Sequence, residues 1–234
     1  VVDSIALGSR LSSVRERIAR AASRAKRDPA AVRLIAVSKT FSADHIRAAA
    51  DAGQLDFGEN KVQEGLAKIA QTSDLPLRWH LIGHLQSNKV KQAVAFHAID
   101  SIDGSALLEK VETAATQAGR MVEVLIQVDL ADEPTKYGIP PEGLGPVLDV
   151  ANACKAVRLK GLMLLPPAVD DPEDARPYFS ALRTLRDELV RQGRNPSTLA
   201  ELSMGMSHDF EIAVEEGATM VRVGSAIFGP REYL

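Results

Sequence analysis

Short apolar runs alternate along this chain with stretches whose apolar residues recur every third or fourth position, and the alternation holds from end to end. Eight runs read as strands: 33–38 (RLIAVS), 54–58 (QLDFG), 78–83 (RWHLIG), 97–102 (HAIDSI), 123–130 (EVLIQVDL), 158–165 (RLKGLMLL), 199–204 (LAELSM) and 220–224 (MVRVG). Between them, Phe179, Leu182, Leu185 and Leu189, or Phe210, Ala213, Val214 and Gly217, keep a helical spacing. One more helix precedes the first strand. Its stripe of Leu7, Leu11, Val14, Ile18, Ala21 and Ala25 predicts an amphipathic helix packed across the barrel. Eight strands with intervening helices are what a closed (β/α)8 TIM barrel requires. No linker or low-complexity tract divides the 234 residues, so the expectation is one α/β domain spanning 1–234 with an extra N-terminal helix. A doubly wound open sheet is the alternative architecture.

Composition narrows the classes. A hydrophobic content of 45% supplies a large core, and 28 basic against 31 acidic residues, net −3, give no global pull toward nucleic acid or an anionic membrane. Cys154 is the only cysteine, so no intrachain disulfide forms, and a cytoplasmic setting is the natural reading. No apolar run reaches the length needed to cross a bilayer.

In a barrel, functional groups collect at the carboxyl ends of the strands. Lys39 follows the first strand, Glu59 and Asn60 the second, His84 the third, Asp129 the fifth, Ser203 to Ser207 the seventh, and Gly224 with Ser225 the eighth. The last two loops place glycine and serine between a strand and a helix, which suits a phosphate: backbone can approach closely, and N–H and hydroxyl groups act as donors. Taken singly, each loop reads better as a turn, with Ser207 capping the following helix; together, at the two expected strands, they favour a phosphate. Arg222 lies opposite Val221 and Val223 in its strand, so it enters the barrel and needs either an anionic ligand or a carboxylate such as Glu201. The same alternation makes Lys39 the last member of the Ile35, Val37, Lys39 face. An amine there, desolvated near an arginine, is suited to attack an aldehyde, whereas a lone lysine at a strand end otherwise snorkels to solvent. Spacing leaves both readings open.

The chain resembles the YggS/PROSC family of pyridoxal 5′-phosphate (PLP) homeostasis proteins, whose barrel is similar to the N-terminal domain of alanine racemases. The matching stretches are AVSKTFSADHI, FGENKVQE, WHLIGHLQSNK, SIDG, QVDLADEPTKYGI, GLMLLPP, YFSALRTLRDEL, ELSMGMSHDFEIAVEEGATMVRVGSAIFG and the terminal REY. The resemblance implies that Lys39 carries PLP as a Schiff base and Asn60 lies beside it. It also implies that Ser203, Gly224 and Ser225 serve the phosphate, while Arg222 meets either the ring nitrogen or the phosphate. Asp129 and Leu164-Leu165 depart from the family pattern without touching these positions.

The implied function is a monomeric cytoplasmic carrier that buffers PLP and releases it to apo-PLP enzymes, with no turnover, no nucleic acid and no membrane. The alternative is an amino-acid racemase, which needs a second acid/base group besides Lys39. Of Tyr137, Tyr178 and Tyr233, Tyr137 is placed after strand 5 to reach the site. A Schiff-base aldolase is a weaker third reading, because it would want carboxylates beside the lysine. His80 and His84 lack the companions of a metal site, Lys89 and Lys91 read as solvated surface, and Asp56, Asp100 and Asp103 as strand ends and caps.

Overall fold

The computed structural model describes residues 2–131 and 137–230; the terminal REY motif and part of the QVDLADEPTKYGI stretch lie outside the described residues. Eight parallel strands run β1 (Arg33–Val37), β2 (Asp56–Glu59), β3 (Arg78–Leu81), β4 (Ala98–Ile102), β5 (Val122–Val128), β6 (Val157–Leu164), β7 (Glu201–Ser203) and β8 (Met220–Val223). They close in sequence order, β8 pairing back onto β1 through Arg33 to Ala36 against Met220 to Val223. The (β/α)8 barrel is therefore the fold, and the open sheet is excluded. Every apolar run read from the sequence is a strand, its ends within two residues of the observed ones. β2, β5 and β6 each reach one residue beyond the run at one end, and elsewhere the strands start later or stop sooner. Gln54, for example, lies before β2, and its buried side-chain amide donates to Leu34 O and Asp56 O, both at 2.7 Å.

The helices are α1 (Ser4–Arg24), α2 (Ala43–Asp51), α3 (Val62–Gln71), α4 (Val90–Ala93), α5 (Ser105–Gln117), α6 (Leu144–Ala153), α7 (Arg176–Arg191), α8 (Phe210–Glu215) and α9 (Ser225–Phe228). Helix α1 begins at Asp3, whose carboxylate accepts the Ala6 N–H at 2.9 Å, and it buries Leu7, Leu11, Val14, Ile18 and Ala21 as the spacing predicts. It does not lie across the barrel. It packs on α2, α8 and α9, with Leu7 and Leu11 in the same apolar layer as Leu34, Ala36, Val221 and Val223. The helix after β8 is only a four-residue turn, so α1 fills the place in the outer ring that an eighth helix would take over β8 and β1. Arg17, over the Phe210 ring at 4.5 Å and paired with Glu211 at 2.9 Å, fastens α1 to α8.

Most of the core lies between strands and helices. Inside the barrel a small cluster of Ile35, Leu125, Met163 and Met220, with Leu165 against it, forms an apolar plug. The next inward residues along those strands therefore sit above the plug, at the carboxyl end. None of the described helices is long and apolar enough to cross a membrane.

Candidate functional site

Above the plug opens a pocket of about 540 Å³, a volume suited to a small-molecule ligand. Strand β1 contributes Val37 and Lys39, the loop after β2 contributes Asn60, and the loop after β3 contributes Gly83 and His84. Gln127 and Leu165 line it from β5 and β6, Met206, Ser207 and His208 from the loop after β7, and Arg222, Gly224 and Ser225 from β8 and beyond. A smaller concavity near the amino ends of β1 and β2, about 300 Å³, carries Arg15, Gln54, Asp56 and Arg78. Those groups are bonded to one another or to backbone, so they offer a ligand little.

The pocket has two chemically distinct elements. The first is the half-buried Lys39, on the face that Ile35 and Val37 share, with Asn60 on the neighbouring loop. Gly83 lets that neighbouring loop pass closely, since a Cβ there would stand 2.3 Å from Asn60 O.

The second element is Arg222. Its guanidinium is buried and donates to two neutral oxygens, Ser203 Oγ at 2.7 Å and Leu164 O at 2.8 Å. Among the described residues no carboxylate pairs with it; Glu201, the partner weighed from the sequence, is 3.6 Å from Arg33 instead. Burial pulls the Arg222 pKa down to about 10, opposed by the fields of Asp100 and Asp209, so the group stays charged at neutral pH. A buried cation that no carboxylate among the described residues touches faces the pocket, and an anionic ligand would supply a contact counterion.

The loops after β7 and β8 are stitched together beside it. Ser207 does not cap α8; its Oγ accepts the N–H of Gly224 at 3.1 Å and of Ala226 at 3.5 Å. Gly224 also passes close to the lysine strand, since a Cβ on it would approach Val37 O to 3.2 Å. Of the residues expected at the site, Lys39, Asn60, Arg222, Gly224 and Ser225 are brought together around one pocket. Ser203 is not on its surface. It lies fully buried beneath, holding the arginine from below.

Sequence reasoning passed over Gln127 and Leu165 as lining groups, although strand alternation puts them one step above Leu125 and Met163 on the inward face. It placed Ser207 in the loop after strand 7, with a helix cap as the alternative, but nothing local says which loop its hydroxyl will meet. His84 and Tyr137 form one wall: their rings stack at 3.5 Å and 10°, His84 Nδ1 is 3.1 Å from Asp103 Oδ2, and the Tyr137 carbonyl accepts from Gln127 Nε2. His80 turns to other partners, with Asp100 Oδ2 3.2 Å from Nδ1 and Asp56 Oδ1 3.5 Å from Nε2. Asp56, Asp100 and Asp103 are thus partners of histidines rather than caps, with Arg78 adding two bonds to Asp56 at 2.7 and 2.5 Å.

Comparison with known proteins agrees with this geometry. Residues 9–232 match the family model of the alanine racemase N-terminal domain. A pyridoxal phosphate homeostasis protein of Aquifex aeolicus is 44% identical over 225 residues, covering 96% of this chain and 98% of the relative. The solved structure of PipY from Synechococcus elongatus PCC7942, with PLP bound, is 41% identical, has a TM-score of 0.84, and covers 95% of this chain and 100% of that one. An alanine racemase of Clostridium difficile 630 shares the fold at a TM-score of 0.73, with 14% identity over 97% of this chain and 57% of its own. On fold, full-length similarity and site together, the chain belongs to the pyridoxal phosphate homeostasis protein family.

Proposed function

We propose that this chain binds PLP in the pocket at the carboxyl end of its barrel, linked covalently to Lys39, and that it carries and buffers the cofactor. The observation that carries the reading is the buried guanidinium of Arg222, without a carboxylate partner, facing the same pocket as Lys39. The same pocket thereby asks for an anion and offers an amine. A phosphorylated aldehyde has both complements. PLP supplies an aldehyde whose carbon forms a C=N bond to an unprotonated amine, its oxygen leaving as water with the amine's two hydrogens.

The roles of the remaining residues follow from their places. Ser225 presents backbone and hydroxyl donors to the phosphate, Gly224, whose own N–H is given to Ser207 Oγ, lets the chain pass close to it, Asn60 borders the ring, and Ser203 and Leu164 O keep Arg222 aimed. Arg222 meets the phosphate or the ring nitrogen. The chain acts as one domain, 1–234, as a monomer in the cytoplasm, and hands PLP to apo-enzymes without turnover of its own. The relatives' designation as homeostasis proteins and the single cysteine support that assignment. Racemisation is the second reading, favoured by Tyr137 in the pocket wall.

Borohydride reduction followed by mass spectrometry tests the linkage. The adduct is expected on Lys39 and lost in Lys39→Ala, whose fold is expected to persist because Lys39 lies above the packed layers. An adduct on Lys61 or Lys136 would sink the assignment. Pyridoxal lacking the phosphate is expected to bind the unmodified protein much more weakly than PLP, and equal binding would overturn the anion site.

A further inference from the structure

Lys39 sits in a three-residue corner, Ser38-Lys39-Thr40, and the hydroxyl and carbonyl of Ser38 and the amide of Thr40 all lead to one buried cluster outside the barrel wall. Lys68 of α3 is its centre. Its ammonium donates to Glu59 Oε1 at 2.6 Å, Glu64 Oε1 at 2.7 Å and the Ser38 carbonyl at 2.8 Å. Glu59, wholly buried, also accepts from Ser38 Oγ at 2.6 Å. Glu64 accepts the backbone N–H of Thr40 at 2.6 Å. Both residues flanking Lys39 are thus gripped, one through its hydroxyl and carbonyl and the other through its amide.

Thr40 is held in a conformation it would not choose. Its φ is +73°, in the left-handed region where a β-branched residue is a true outlier and which is ordinarily left to glycine. Such backbone strain persists only where the surroundings over-determine it, and here the restraint is the Glu64 carboxylate. The cluster is electrically built for the task. Burial raises the Glu59 pKa against the opposing pull of Lys68 and Ser38, while at Glu64 burial is outweighed by Lys68 and the Thr40 N–H, leaving it ionised.

We propose that Glu64, with Lys68 and Glu59, is a positioning device for Lys39: by holding Thr40 in the left-handed region and fixing Ser38, it directs the lysine side chain into the pocket in the orientation that meets the ligand's aldehyde. The inference rests on the PLP reading above and adds residues that touch no ligand. Lys68 and Glu59 are poor first targets, because removing Lys68 leaves the wholly buried Glu59 without its cation and removing Glu59 strips an acceptor from both Lys68 and Ser38. Glu64 is more exposed and can be removed without that damage.

The experiment compares the unsubstituted protein with Glu64→Ala, Thr40→Gly and the double variant. Three quantities are read for each: affinity for PLP from its borohydride-reducible adduct, affinity for pyridoxine 5′-phosphate, whose alcohol cannot form the linkage, and the urea midpoint. Glu64→Ala is expected to weaken formation of the adduct about tenfold, as misalignment of a reacting group does, while leaving pyridoxine phosphate binding unchanged. Thr40→Gly in that background is expected to restore the adduct, since glycine adopts the required φ without a restraint. A purely electrostatic effect of Glu64 on the amine would persist in the double variant, and a general loss of structure would weaken both ligands. Either outcome overturns the inference, as does an unaltered adduct in Glu64→Ala. Failure of the unsubstituted protein to form any adduct on Lys39 would instead overturn the PLP reading on which it stands.

Discussion

His80 is buried inside the barrel with a carboxylate on each side, Asp100 at 3.2 Å and Asp56 at 3.5 Å. Burial alone would lower its pKa, but the two aspartates outweigh that cost and push it up from the ordinary 6.5 to about 9. The linkage has a definite sign: a group whose folded pKa is raised contributes its full stability below the unfolded value and loses it as pH climbs through the folded one. Urea unfolding is therefore expected to show stability holding up to about pH 6.5 and declining toward pH 9, with His80→Gln flattening that slope. A slope unchanged by the substitution would refute the assignment. Asp56 works at the other limit. Burial raises its carboxyl, yet Arg78 and His80 together hold it well below the usual range, so its contribution is lost only as pH falls far into acid.

Helix α1 shows how an element can be legible in itself and illegible in its place. Its apolar stripe is local and, from Leu7 to Ala21, as the sequence predicts, and the Asp3 cap found in the structure is local too. Its seat between α2 and α8 depends on the helix after β8 stopping at Phe228, where Gly229 has a φ of +92°. Nothing in residues 4–24 records that. Leu11, fully buried in the layer over β1 and β8, is expected to cost about 2–5 kcal/mol on substitution by alanine, read as a lower urea midpoint. Were α1 loosely attached, the change would be much smaller. The strands were legible because each alternates an outward apolar residue with an inward one, and this gave Lys39 and Arg222 their directions, whereas Asn60 was expected only from the family resemblance. The partners of those side chains were not. Lys68 with Glu64 is a helical i,i+4 pair that any sequence reading can find, but its bond to Glu59 and the Ser38 carbonyl exists only once α3 is folded back on the barrel.

At the scale of the whole molecule, the carrier and enzyme readings differ in the groups that must flank the ligand. Racemisation removes a proton from one face of an amino acid and returns one to the other, so two oriented acid/base groups must flank the ligand. Lys39 is one. Among the described lining residues, Tyr137 has the hydroxyl closest in kind to a second, but its side chain is 54% exposed and its ring is steadied by stacking on His84. A base so open to solvent, however well its ring is stacked, gives up much of the advantage that an oriented, water-excluded group has in rate. Arg222 adds to this if it meets the ring nitrogen, because a permanent cation there disfavours ring protonation and weakens the cofactor as an electron sink. Incubation of the PLP-loaded protein with L- and D-alanine in deuterated water is therefore expected to give slow deuterium incorporation at the α-carbon with retention of configuration, and transfer of PLP to an apo-enzyme in the same preparation. Sustained interconversion of the enantiomers that disappears with Tyr137→Phe would reverse the conclusion, making Tyr137 the second base and the protein a racemase.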